Sequence, residues 1–415
     1  MLDAPTRAQV RATAPVLQQH GVALTRHFYA RMFQHNPELR EIFNQGHQRS
    51  GTQQQALAMA VAAYAEHIDD PTVLMPVLER IAAKHVSLGI RREHYAIVGR
   101  HLLASITEVL GEEAATPALM DAWAQAYGQL AALLAGMEQG LYDQAATQPG
   151  GWTGWRSLRV QRRQAESEEI TSFHLVPADG GPWCRPSGRG SICRCGSLVP
   201  ALGYRQPRQY SLSNAPGGDH LRISVKREDG QGAPGAPGGE AGMVSTWLHR
   251  HLAEGEVLEV APPAGDFMLH EDRDTPVLLL SAGVGITPMM AMLEHLARTQ
   301  PARTVRFVHA ARHAGVQAFG ARVRALVAGL ADARAWFVHE AAPAGVPADG
   351  AAPDALGRID PADLRARGLL PDDADIYLCG PAGFMAAQRR ALLQLGVPAA
   401  RIHAEAFGTG GVAEG

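Results

Sequence analysis

From Thr6 to about Tyr142 apolar residues recur at helical spacing, alanine is frequent and β-branched runs are few, a pattern that predicts an all-α unit. Pro37, Pro71 and Pro117 mark breaks between its helices, because a proline inside a helix removes a hydrogen bond and clashes with the preceding turn. The pattern stops at Gln148-Pro149-Gly150-Gly151. Beyond it, short alternating stretches at Leu158–Val160, Ile170–Val176 and Leu221–Val225 predict an antiparallel β domain. At Thr275 the pattern changes again. Val277-Leu278-Leu279-Leu280 runs into a Gly-rich turn and a helix-like stretch, Met289–Arg298, the opening of a doubly wound α/β domain. Strands at Val305–His309, Trp336–His339 and Ile376–Cys379 continue it. The expected division is therefore 1–147, 152–268 and 274–415, with no internal repeat. Gly230–Gly242 and Ala341–Pro353, rich in Gly, Pro and Ala, read as inserted mobile loops without chemistry of their own.

Composition agrees with several domains. A chain of 415 residues exceeds one ordinary core, and 46% hydrophobic with 19% charged residues is the balance of a soluble globular protein. A net charge of −3 and the lack of a basic stripe favour small-molecule partners over nucleic acid or an anionic membrane. Met1-Leu2-Asp3-Ala4-Pro5-Thr6-Arg7 lacks an apolar signal core, and the run Val277–Leu280 soon meets Gly and Pro. A cytoplasmic monomer without stable membrane association is expected. Of four cysteines, Cys184, Cys193 and Cys195 cluster, yet they form neither a disulfide framework nor a paired zinc spacing. They suit a reducing compartment.

Ile81, His85 and Leu88 fall at i, i+4 and i+7, so the imidazole shares a helix face with apolar residues that could cover one side of a flat ligand. Taken alone, the same spacing suits a structural histidine. Around it stand His27-Phe28-Tyr29, then Pro37-Glu38-Leu39-Arg40-Glu41-Ile42-Phe43, Gln53, Leu57, Lys84 beside His85, Tyr95, and Glu138 four residues ahead of Tyr142. With these residues at globin intervals, the chain resembles a flavohaemoglobin over nearly its whole length. The resemblance implies a non-covalently held haem b with His85 as its proximal iron ligand and Lys84 beside it. Tyr95 and Glu138 would hydrogen-bond behind the imidazole and push electron density toward bound oxygen. Tyr29 and Gln53 would form the distal side, and Phe43 and Leu57 would line the haem. For these last two, core packing holds alongside the haem reading, since they line the group and are not reagents.

Farther along, Arg208-Gln209-Tyr210-Ser211 resembles the flavin-binding signature of the ferredoxin-reductase family, in which the aromatic ring stacks on the flavin and the guanidinium clamps a phosphate. Ser281-Ala282-Gly283-Val284-Gly285-Ile286-Thr287-Pro288 follows the apolar strand, and glycines there let the backbone approach a pyrophosphate at a helix N-terminus. Thr287-Pro288 in place of a third glycine matches that reductase family. Cys379-Gly380-Pro381 ends a strand where the nicotinamide should lie, and Glu405-Ala406-Phe407-Gly408 follows. The resemblance implies that Phe407 covers the flavin, with a buried C-terminal anchor as its alternative, and that Glu405 tunes flavin-to-haem transfer. Arg312 is the one nearby candidate for an NADPH 2′-phosphate.

Between Gly181 and Leu198 the family pattern fails. Where an aromatic residue, Arg-Pro-Gly-Gln-Tyr and an apolar strand belong, the chain has Ser187-Gly188-Arg189-Gly190-Ser191-Ile192-Cys193-Arg194-Cys195-Gly196-Ser197, which predicts no strand. A DNA string for Arg-Pro-Gly-Gln-Tyr-Leu-Ser-Val-Arg-Leu, shifted by one base, can read as residues 188–197, so a compensated frameshift explains the segment. A genuine variable loop is the alternative, and a Cys193/Cys195 metal site lacks further ligands.

Together the resemblances imply an all-α globin domain, an antiparallel β-barrel FAD domain and a doubly wound, ferredoxin-reductase-like NAD(P) domain. The implied activity is that of a nitric oxide dioxygenase: electrons from NAD(P)H pass through FAD to haem, where NO and O2 give nitrate. A gas-binding, redox-sensing globin with an attached haem reductase and a haem-free flavin reductase are the alternatives.

Overall fold

The computed structural model describes residues 2–42, 51–148, 150–181, 192–199, 204–230, 242–342 and 352–407. Phe43, Gly408, residues 182–191 and the interiors of the two inserted loops lie outside them. The chain forms two compact units, the first comprising Met1–Gln148 with Trp152–Gly154 and Pro200–Arg208, and the second the remainder.

The first unit is helical, as expected: α1 (Ala4–Ala12), α2 (Ala14–His35), α3 (Thr52–Glu66), α4 (Met75–Leu88), α5 (Arg92–Leu110) and α6 (Pro117–Thr147). Pro37, Pro71 and Pro117 each stand in the first turn of an element, where the missing N–H would have no intrahelical partner. The Thr116 hydroxyl caps α6 by accepting from the Leu119 N–H at 3.3 Å. Leu24, Phe28, Met32, Leu102, Ile106 and Trp123 are almost wholly buried in its core, and each contributes on the order of 1.5–3 kcal/mol by leaving water. Helices α2 and α3 approach closely at Gly21, where a Cβ would lie 3.1 Å from that of Ala58. The Thr25 hydroxyl donates to the Gln54 carbonyl at 2.8 Å and locks that crossing.

The second unit opens with β1 (Arg156–Ala165), β2 (Ile170–Pro177), β3 (Ile192–Val199), β4 (Tyr204–Ser211, which begins in the first unit), β5 (Leu221–Lys226), α7 (Met243–His251) and β6 (Val257–Val260). These strands make a half-barrel sheet in the order β4-β3-β6-β1-β2-β5. Its β1–β2, β1–β6, β2–β5 and β3–β6 pairs are antiparallel. Strand β3 corrects the sequence expectation, because residues with poor β-propensity are extended here. Cys195 stands opposite Val260 and Gly196 opposite Glu259. The unpaired backbone edge of β6 recruits the segment, and Cys195, 1% exposed, turns into the core. Ladder hydrogen bonds outweigh a propensity range of only about 1 kcal/mol.

Then follow β7 (Val277–Ala282), α8 (Ile286–Thr299), β8 (Val305–Ala311), α9 (Gly320–Ala328), β9 (Ala333–His339), β10 (Ala355–Leu356), α10 (Pro361–Ala366), β11 (Asp375–Cys379), α11 (Ala382–Gln394) and β12 (Ile402–Glu405). They build a parallel sheet ordered β10-β9-β8-β7-β11-β12. The apolar run is explained by burial on both faces: Val277 and Leu279 join one core, Leu278 and Leu280 another. Helix α8 begins three residues before the predicted Met289, since Pro288 is tolerated in a first turn. Among the described residues no helix is long and apolar enough to cross a membrane.

Candidate functional site

His85 lies one turn from the end of α4. Gly89 stops the helix with a φ of 73°, a left-handed cap that glycine adopts without Cβ strain. The Ile90 N–H donates to the His85 carbonyl at 2.9 Å, and Tyr142 of α6 donates to the Ile90 carbonyl at 2.6 Å. The backbone around the imidazole is thus tied on both sides.

The ring itself is oriented by two partners from other helices. Its Nδ1 lies 2.7 Å from Oε1 of Glu138 and 3.0 Å from the Tyr95 hydroxyl, and that hydroxyl donates to the same Oε1 at 2.5 Å. A carboxylate only accepts, so the imidazole proton resides on Nδ1 and the Nε2 lone pair points away from the triad. Glu138 is 2% exposed, whereas the His85 side chain is 30% exposed. Burial, then the hydrogen bond and charge of Glu138, push the Tyr95 phenol far above its ordinary range, so it stays a donor. Sequence reasoning missed the support for Tyr95. Tyr127 donates to the Tyr95 carbonyl at 2.7 Å and packs against Gly99, where a Cβ would lie 2.4 Å from the Tyr127 ring. A glycine inside a helix, which costs about 1 kcal/mol relative to alanine, was the available signal.

Tyr29 is buried between Phe28 and Phe33. It stands one turn beyond Thr25 on α2, while Gln53 immediately precedes Gln54 on α3, so the Thr25–Gln54 bond sets their positions on neighbouring turns. Leu57, Ile81 and Leu88 are partly buried against the cores of this unit, and Lys84 is half-buried beside His85.

In the second unit the nucleotide motif is assembled where the adjacent interior strands β7 and β11 end. Gly283 has a φ of 55°, and a Cβ on Gly285 would lie 2.2 Å from the Cys379 carbonyl oxygen. Only glycine lets the turn pass that close to the end of β11. Val284 accepts a 3.0 Å hydrogen bond from the Thr287 hydroxyl, and α8 presents its free N–H groups just after the turn, with Ile286, Thr287 and Pro288 in its first turn. Cys379 pairs in register with Ser281 on one side and Glu405 on the other. Burial first, and Glu405 second, push the Cys379 thiol well up, so it is no nucleophile. Gly380 and Pro381 turn the chain into α11. Arg208, Gln209 and Tyr210 are half-buried at the end of β4. The Ser211 hydroxyl is buried without a hydrogen-bond partner among the described residues. Phe407 is 45% exposed and is therefore not a buried anchor.

The Globin family matches residues 26–134, and the family described as oxidoreductase NAD-binding domain matches residues 279–390. A flavohemoprotein of Bordetella parapertussis is 59% identical over 416 residues, covering 100% of both chains. The chain belongs to the flavohemoprotein family. A solved flavohemoglobin from Malassezia yamatoensis with bound FAD and heme is 28% identical, with a TM-score of 0.82 over 98% of this flavohemoprotein and 100% of that chain. The flavohem-like FAD/NAD binding domain of nitric oxide dioxygenase from Vibrio cholerae is 38% identical, with a TM-score of 0.52 over 61% of this chain and 98% of that one.

The residues of this flavohemoprotein fit both prosthetic groups. An imidazole locked through Nδ1, with no Nε2 hydrogen bond among the described residues, is the donor an iron centre takes from a single histidine. A buried Ser211 hydroxyl that has no hydrogen-bond partner among the described residues, next to Tyr210 in the chain, suits a polar and aromatic ligand such as a flavin.

Proposed function

We propose that this flavohemoprotein is an NAD(P)H-dependent nitric oxide dioxygenase, with a globin domain over 1–147, an FAD domain over 152–268 and an NAD(P) domain over 274–415. The observation that carries the proposal is the His85–Tyr95–Glu138 triad, in a chain that also holds the Gly285–Cys379 nucleotide turn. When bound, FAD would supply the conversion between the two-electron donor NAD(P)H and a one-electron acceptor, and haem would supply the one-electron iron centre that the oxidation of NO by O2 to nitrate needs.

His85 would hold the iron through Nε2. Glu138 and Tyr95 would keep the proton on Nδ1 and raise the basicity of the ring, since a hydrogen bond to a carboxylate gives imidazole anionic character. From the other side Tyr29 and Gln53 would donate hydrogen bonds toward developing negative charge, with Phe43, Leu57 and Lys84 lining the group. In the reductase half, Tyr210 would cover the flavin ring, Arg208 its phosphate, and Gln209 and Ser211 its polar chain. The Gly283–Pro288 turn would hold the pyrophosphate, Cys379-Gly380-Pro381 would border the nicotinamide, and Phe407 with Gly408 would cover the flavin until nicotinamide arrives. Glu405 would adjust the field near the flavin. The protein is taken to work as a cytoplasmic monomer.

An absorption spectrum before and after anaerobic addition of NADH should contain haem and flavin bands that both change. Mixing the oxygenated protein with NO should give rapid, stoichiometric nitrate. Slow ligand release without turnover would instead mark a sensor. His85→Ala should remove the normal Soret position and the activity together.

A further inference from the structure

The loop after β8 carries a cation at the edge where a dinucleotide's adenosine end is read. Strands β7 and β8 pair in parallel with Ala282 opposite Ala310, so Arg312 leaves the sheet on the same side as the Gly283–Gly285 turn. In doubly wound sheets this place discriminates between nucleotides: an acid takes the ribose 2′-hydroxyl, and an arginine accommodates a 2′-phosphate. In chain order, Arg312 is the one nearby candidate for contact with a 2′-phosphate.

The folded chain gives that candidate a partner. Arg312 Nη2 donates to Oε1 of Glu169, a residue 143 positions earlier in the hairpin between β1 and β2. Arg312 makes no other side-chain hydrogen bond or ion pair among the described residues. The hairpin that presents Glu169 is stiff. The Ser167 hydroxyl accepts from the N–H groups of Glu169 at 3.3 Å and Ile170 at 3.1 Å, and the Glu169 carbonyl accepts from the Arg227 N–H at 2.8 Å. It is also fastened to the Arg312 loop itself, because the Glu168 N–H donates to the Gly315 carbonyl at 2.9 Å. The Glu168 carboxylate packs over Gly315, 1.9 Å from where a Cβ would stand.

We propose that Glu169 is the specificity-determining residue for the pyridine nucleotide, neutralising Arg312 so that the site takes NADH and disfavours NADPH. The inference rests on the reductase reading above. A 2′-phosphate must separate Arg312 from Glu169 and then lie beside a carboxylate that faces it with like charge. A 2′-hydroxyl can donate to that carboxylate with the ion pair intact.

Two measurements on the full-length protein, saturated with FAD, test this. Calorimetry compares 2′,5′-ADP with 5′-AMP, which isolates the 2′-phosphate and needs no flavin chemistry. Stopped-flow flavin reduction compares NADPH with NADH. Glu169→Gln should shift both ratios toward the 2′-phosphorylated ligand by about tenfold, a change worth roughly 1.4 kcal/mol. Arg312→Gln in the Glu169→Gln background should cancel the gain, whereas Arg312→Gln alone should move either ratio by less than about twofold, as expected for a charge already paired. The proposal is overturned if Glu169→Gln leaves both ratios unchanged, or if Arg312→Gln alone lowers 2′,5′-ADP binding severalfold. Should the unmutated protein bind 5′-AMP but neither nucleotide reduce its flavin, the reductase reading fails, and this inference with it.

Discussion

At His85 a single side chain is made specific by where its proton is held. Glu138 accepts both the imidazole proton and the Tyr95 hydroxyl on one oxygen. Replacing Tyr95 by Phe removes one donor from a buried carboxylate and should destabilise the helical unit by about 1–3 kcal/mol. Glu138→Gln should weaken electron donation through the imidazole and raise the reduction potential of the reconstituted protein, on the order of tens of millivolts. A spectroelectrochemical titration that finds an unchanged potential would refute the positioning role. Gly285 is tested similarly. Gly285→Ala places a Cβ 2.2 Å from a backbone oxygen, which cannot yield as a flexible side chain would. Overpacking of this kind costs about 1–3 kcal/mol. NADH-driven flavin reduction should fall sharply, while the haem spectrum stays as it was.

Strand β3 is where element and sequence disagree, and the disagreement is informative. Position 195 is buried and faces the core. The one-base-shifted reading supplies valine at 195, an apolar residue that suits the burial there, where the present chain has Cys195. Replacing residues 188–197 with Arg-Pro-Gly-Gln-Tyr-Leu-Ser-Val-Arg-Leu should therefore tighten FAD binding by about tenfold or more, since a fully buried aliphatic side chain such as valine at 195 is worth on the order of 1.5–3 kcal/mol. Fluorescence titration of the apoprotein with FAD measures it. Equal affinity in the two proteins would make the segment a genuine variable loop. The other elements were legible because their patterns were strong: the helical period up to Tyr142, and the apolar run of β7 before its glycine turn. The extended state of β3 was not, because an edge partner far along the chain imposes it.

For the whole molecule, buried histidines set how the reductase half responds to acid. His309 is fully buried beside Ser281, and burial first, with His339 second, pushes its pKa down to about 3. The folded value lies below the unfolded one, so the unfolded chain binds the extra proton between them. Stability is therefore complete above about pH 6.5 and declines by about 1.4 kcal/mol per pH unit as pH falls toward 3. His174, pushed down to about 4 by burial, acts in the same sense. Chemical denaturation at pH 7 and pH 5 should record the loss, and His309→Gln should flatten it. A pH-independent midpoint in the unmutated protein would contradict the burial of a neutral His309.

What the amino-acid order determined alone was local: which stretches are helical, which strands are buried, where glycines permit a close turn, and which histidine has apolar neighbours at helical spacing. Only the tertiary structure decided three further matters. It brought Glu138 to Nδ1 of His85 from 53 positions away. It gave a poor β-former a place beside β6. It set Glu169 against Arg312, changing what that arginine can bind. The reason is common to all three: a proton's location, a strand's edge and a cation's net field depend on partners that chain order does not bring near.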